Sequence, residues 1–230
     1  MRIFALAAAL CAVAAPAAGA TRNFGITDFQ KVRVDGPFAV TLTTGVAPFA
    51  RATGSTAALD RVAIDVRGNT LVVHSNLDSW GGYPGQNVGP VTVELGTHDL
   101  SAAWLNGSGT LAIDRVKGLG FDLSVQGSGA GQIGQVAVDQ LNVSVVGTAS
   151  ARLAGQAAKM TAVVRGISGL DAGALSTRDA TLGADGAATI SATVSNSVTV
   201  DANGPATIRL SGRPSCTLRV SGSASVTGCR

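Results

Sequence analysis

Residues 121–133 read FDLSVQGSGAGQI. Phe121, Leu123 and Val125 alternate with Asp122, Ser124 and Gln126; the alternation halts at Gly127-Ser128-Gly129 and then resumes. Period-two alternation is strand spacing, because successive side chains of a strand point to opposite faces. Residues 141–153 repeat the figure as LNVSVVGTASARL. Anchoring the repeat on a glycine gives Gly107, Gly127, Gly147, Gly166, Gly186, Gly204 and Gly222, at spacings of 20, 20, 19, 20, 18 and 18. Six, four and two residues before the anchor stand apolar triplets: Phe121, Leu123, Val125; Leu141, Val143, Val145; Met160, Ala162, Val164; Ala180, Leu182, Ala184; Val198, Val200, Ala202; and Cys216, Leu218, Val220. In the first unit, Ser101, Ala103 and Leu105, only Ser101 breaks the column. Two residues after the anchor the side chain is always small: Gly109, Gly129, Ala149, Ser168, Ala188, Ala206 and Ala224.

A unit of 18 to 20 residues cannot bury an apolar face alone. Stacking successive units places like positions above one another and builds one continuous core. The pattern therefore predicts an all-β fold, a parallel β-helix of about seven regular coils over residues 101–230, each with three short sides. A β-sandwich also uses short strands, but it does not require the same column of small residues seven times over. The anchor glycines are expected at a corner that needs positive φ or close backbone approach. Residues 24–100 keep the rhythm more loosely. Val32, Val34, Gly36, Phe38, Val40 and Leu42 match it, and Ile64, Val66, Gly68, Leu71 and Val73 are read as a further irregular coil. These N-terminal coils are expected to cover one end, since an open edge strand invites pairing with other chains.

The first twenty residues stand apart. Arg2 is followed by an apolar run and by Ala18-Gly19-Ala20, the layout of a secretory signal peptide. Leu10 before Cys11 does not fit a lipoprotein site, so the mature chain is expected to start near Thr21 and to form one domain over 21–230. No transmembrane segment is expected after cleavage. Removing Arg2 leaves 16 basic and 14 acidic residues, a net charge of 16 − 14 = +2. The basic residues are scattered singly, which speaks against nucleic acid as a partner. Cys216 and Cys229 remain, an even count that predicts a disulfide in an exported chain. It would clip the last coil. The expected destination is the periplasm or the exterior.

At this point the chain resembles a known family, the domain of unknown function described as the head GIN domain of putative auto-transporter adhesins. The resemblance rests on FQKVRVDGPFAV at 29–40, on Leu71-Val72-Val73, and on Gly107-Ser108-Gly109 and Gly127-Ser128-Gly129. It implies a right-handed parallel β-helix of the bacterial envelope and brings no catalytic residues. The family pattern places an aspartate after Ser-Gly-Ser-Gly; here Thr110 and Ala130 stand there. A segment for a membrane β-barrel translocator is not expected in this chain.

An enzyme acting on polysaccharides would need carboxylates close together. On a solenoid they would share an outward column. Asp122 is followed in its column by Asn142, Thr161, Thr181, Thr199 and Thr217; Asp201 lies between Gly183 and Arg219; Asp171 has Gln132, Arg152 and Ser191 near it. No acidic cluster forms, so no catalytic residue is predicted. His74 and His98 lack ligand spacing, so no metal and no cofactor are predicted. The rank Thr161, Thr181, Thr199, Thr217 is too narrow for a flat ice-binding surface. One irregular segment, SNLDSWGGYPGQNVGP at 75–90, carries Trp80 and Tyr83, and Trp104 follows at an outward position. These three aromatics are the candidate ligand-binding residues, suited to stacking on a sugar. The expected function is a non-enzymatic, adhesin-like binding module whose partners are envelope glycans or surface proteins. The alternatives are a carbohydrate-active β-helix enzyme with a degenerate site and a passive envelope scaffold.

Overall fold

The computed structural model describes residues 19–76 and 89–230. Among the described residues, sixteen strands join in one sheet that winds into a β-solenoid of about six turns. Seven corner glycines enclose six intervals, which is why the expected seven coils close as about six turns. The long strands are β9 (Thr110–Gly127), β10 (Ala130–Gly147), β11 (Ser150–Gly166), β12 (Gly169–Asp185) and β13 (Thr189–Asn203), in chain order after eight shorter strands given below. Each runs around three sides of a coil. The β9–β10 ladder shows the sides: residues 130–133, 135–138 and 140–147 pair in parallel with residues twenty positions earlier, with breaks at Gly134 and Asp139.

The core follows the register. Phe121, Leu141, Met160, Ala180 and Val198 stack in one column, and Leu123, Val143, Ala162, Leu182 and Val200 in the next. All are buried. Each fully buried large apolar side chain contributes about 1.5–3 kcal/mol. Spacing falls from 20 to 18 residues where the β12–β13 register shifts, first between Ala172 and Ser176 and again between Thr177 and Asp179. The coil simply loses two residues there. At the corner, φ of the seven anchor glycines lies between 80° and 119°. A Cβ on Gly147 would stand 2.5 Å from the Gly127 carbonyl oxygen. The column is glycine because backbone stacks on backbone.

The N-terminal third differs from a run of irregular coils. Its elements are β1 (Ala20–Phe24), β2 (Lys31–Asp35), β3 (Ala39–Thr44), β4 (Phe49–Gly54), α1 (Thr56–Leu59), β5 (Val62–Arg67), β6 (Thr70–Ser75), β7 (Thr92–Thr97) and β8 (Ala102–Gly107). Strand β2 pairs in parallel with both β6 and β8, and β3 with both β7 and β9. Residues 31–44 thus form a layer between the β6–β7 layer and the first regular coil, although they precede both in sequence. The link from β7 to β8 passes this layer. There Ser101 N donates to the Gln30 carbonyl at 2.7 Å, and the buried Thr97 hydroxyl donates to the Phe29 carbonyl. Residues 62–75 are not a coil. Strands β5 and β6 form an antiparallel hairpin in which Arg67 opposes Thr70. Gly68-Asn69 is the two-residue turn, and Gly68 (φ 61°) is its left-handed position rather than a solenoid corner.

Antiparallel strands close this end: β5 on β6, β4 on β7, and β1 on β4. Helix α1 is capped by Ser55, whose Oγ accepts from Ala58 N at 3.2 Å. The opposite end is built from β14 (Thr207–Ser211), β15 (Ser215–Ser221) and β16 (Ser225–Thr227). The Cys216–Cys229 disulfide forms as expected and ties the last coil. The inward column loses its cover here, and Leu218 and Val220 are 45% and 46% exposed.

Candidate binding groove

Two outward rows of the solenoid side that follows the glycine corner form a shallow groove of about 640 Å³. One row is Thr110, Ala130, Ser150, Gly169 and Thr189; the other is Ala112, Gln132, Arg152, Asp171 and Ser191. The rows cross five coils, roughly 19 Å at the inter-strand spacing. Small side chains keep the floor low. The hydroxyls of Thr110, Ser150, Thr189 and Ser191 and the Gln132 amide lie along it, and at its centre Arg152 Nε donates to Asp171 Oδ2 at 3.2 Å. Both partners are exposed, so the pair adds little to stability. It leaves a charged donor and acceptor in the middle of an otherwise neutral surface.

Of the three aromatic candidates, Trp104 is among the described residues. Trp80 and Tyr83 lie outside the described residues. Trp104 faces outward and half-buried on β8, in register with Arg33 on β2 and Ser124 on β9. Arg33, Thr70, Asn106 and Gln126 share a surface depression with it. That depression is polar and orderly: Arg33 Nε donates to Asp35 Oδ1 at 3.0 Å and Asn106 Nδ2 donates to the same oxygen at 2.7 Å. The groove and Trp104 stand on neighbouring sides, on either side of Gly107.

Among the described residues, the carboxylates bond mainly to neutral or basic neighbours. Asn142 Nδ2 donates to Asp122 Oδ1 at 2.8 Å, and the column runs on through Thr161, Thr181, Thr199 and Thr217. Asp179 titrates below its ordinary range. Hydrogen bonds from the Ser197 hydroxyl and then the Asn196 amide, each at 2.6 Å, hold it down to about 2, with Arg178 helping. That is the direction opposite to the one a general acid needs. His74 pairs with Asp65 at 3.0 Å and His98 with Asp28 at 3.4 Å. Among the described residues no group of three metal-ligating side chains gathers.

The family model described as "Putative auto-transporter adhesin, head GIN domain" matches residues 28–214. The chain belongs to this family. Its fold is similar to that of solved proteins at low identity. One is a putative adhesin from Bacteroides fragilis, with a TM-score of 0.80 and 19% identity over 93% of this chain and 95% of that one. Another is a putative lipid binding protein from Parabacteroides distasonis, with a TM-score of 0.73 and 18% identity over 91% and 96%. A putative adhesin from Parabacteroides merdae gives 0.68 and 18% over 91% and 95%. No curated protein matches the chain in sequence. No helix among the described residues is long and apolar enough to cross a membrane.

The groove is what sequence reasoning missed. Its signal was present three residues past each anchor glycine, where Thr110, Ala130, Ser150, Gly169, Thr189, Thr207 and Ser225 are all small. Thr110 and Ala130 are the first two rungs of that row. Their identity makes this end of the groove uncharged.

Proposed function

We propose that the protein is an exported, non-enzymatic binding module of the bacterial envelope that holds an extended surface glycan along its groove. The carrying observation is the groove itself: a low floor across five coils, with the hydroxyls of Thr110, Ser150, Thr189 and Ser191 and the Gln132 amide set around one Arg152–Asp171 pair. Repeated hydrogen-bonding groups at strand spacing suit a repeating, neutral, hydroxyl-rich polymer. An exposed, open surface of this kind suits holding rather than turnover, which would need paired carboxylates. Export is supported by the N-terminal charged and apolar run and by the disulfide, which persists in oxidising compartments. Family membership and the adhesin-named neighbours agree with a binding role. Trp104, outward and half-buried on β8, supplies a second contact by stacking on a sugar ring on the side next to the groove.

The test is retention of the protein on immobilised envelope polysaccharides. A Cβ on Gly169 would meet nothing within 4 Å, so Gly169→Trp fills the groove without disturbing the coil. Retention by the wild type and release of Gly169→Trp support the reading. Equal retention of both, or hydrolysis of the polysaccharide, refutes it.

A further inference from the structure

The end of the solenoid opposite the N-terminal cap is a different kind of surface from the groove. Strands β15 and β16 each pair on one side only, with β13 and β14, so their outer edges lack a described strand. Leu218 and Val220 open to the end of the rod beside the Cys216–Cys229 bridge and the half-buried Val226. The charged side chains that follow Asp201 at this apolar end are all arginine. Arg209, Arg213, Arg219 and Arg230 are all exposed, and none makes an ion pair among the described residues. The last acidic residue in the chain is Asp201, one coil inboard of Arg219 in the register.

We propose that this end docks the rod on an anionic lipid bilayer surface. Apolar side chains ringed by cations match an interface whose headgroups are negative and whose acyl boundary is apolar. The unpaired strand edges limit the depth, because backbone groups need the hydrogen-bonding headgroup layer and cannot enter hydrocarbon unsatisfied. A second copy fits less well. Stacking two such ends would bring eight arginine side chains together with no Asp or Glu side chain beyond Asp201 to offset them. Docked this way, the rod stands up from the membrane and presents its groove along its length, away from the lipid.

The experiment is co-sedimentation of the full, oxidised chain with phosphatidylcholine vesicles, with and without phosphatidylglycerol, at low and high salt. The variants are R213Q/R219Q/R230Q and L218S/V220S. All carry the same N-terminus, so differences between them report the far end alone. The wild type is expected to prefer the anionic vesicles and to lose that preference in salt. Each arginine near the surface is worth about fivefold in partitioning, so the triple variant loses about a hundredfold. The L218S/V220S variant keeps salt-sensitive binding at weaker affinity. Equal binding to both vesicle types, or binding untouched by the triple variant, overturns the proposal. A wild-type dimer in sedimentation velocity that L218S/V220S dissolves also overturns it, in favour of end-to-end self-association.

Discussion

Replacing Gly147 by alanine tests why the corner column is glycine. Gly147 has φ 101°, and a Cβ there would lie 2.5 Å from the Gly127 carbonyl oxygen of the coil below. Two costs add. Holding an L-residue in left-handed backbone costs about 1–2 kcal/mol. Forcing extra volume against packed atoms costs about 1–3 kcal/mol, and the neighbour here is backbone, which cannot swing aside. The sum is about 2–5 kcal/mol. Gly68→Ala serves as the internal control, since Gly68 has φ 61° but nothing within 4 Å, leaving only the first cost of about 1–2 kcal/mol. Gly186→Ala falls between them, because its Cβ would stand 3.1 Å from the Gly166 carbonyl oxygen at φ 84°. Urea unfolding followed by circular dichroism gives the three differences from the midpoints at common slope. The order Gly147 above Gly186 above Gly68 is expected. If Gly147→Ala costs no more than Gly68→Ala, coil-on-coil backbone contact is not what requires the glycines.

Three further outcomes follow from individual contacts. Replacing Cys216 and Cys229 by serine opens the loop between them and lowers stability by about 3 kcal/mol in the chain-entropy model, with hydrogen exchange fastest in β15 and β16. Thr177 is 3% exposed, and its hydroxyl finds no partner among the described residues, so Thr177→Val raises stability by about 1 kcal/mol, read from the unfolding midpoint. Asp179 titrates near 2 rather than its ordinary 3.8 because Ser197 and Asn196 bond the carboxylate. A lowered folded-state pKa means its stabilising effect is complete above about 3.8 and is lost as pH falls through about 2. Carboxyl NMR titration reads this directly, and Ser197→Ala moves the transition upward.

The regular coils were legible because one rule repeats. Phe121, Leu141 and Met160 occupy one column only if the chain returns every 19 or 20 residues, and the ladders return it so. The N-terminal third obeys the same period-two alternation, yet alternation carries no information about which strand lies beside which. Val32 and Leu71 have equal hydrophobic credentials whether β2 and β6 are successive coils or interleaved ones. Pairing is decided by Thr97, Ser101 and the Gly68-Asn69 turn, and the turn alone was readable in advance as a hairpin signal. The groove was hidden for another reason. Its rows are defined by what is missing, bulk on an outward face, whereas aromatic and acidic side chains are the features that stand out in a sequence. Trp104 was placed outward by its parity in the strand, and the structure puts it there beside Arg33.

The central claim is that the groove side holds a linear, hydroxyl-rich polymer. Backbone amide NMR of the labelled protein, titrated with an envelope polysaccharide that retains it, tests this most directly. Shifts are expected to concentrate at Thr110, Ala130, Ser150, Gly169 and Thr189 and in the row from Gln132 to Ser191, with the far side of the solenoid unmoved. Shifts confined to other faces, or none at saturating polysaccharide, would contradict the account.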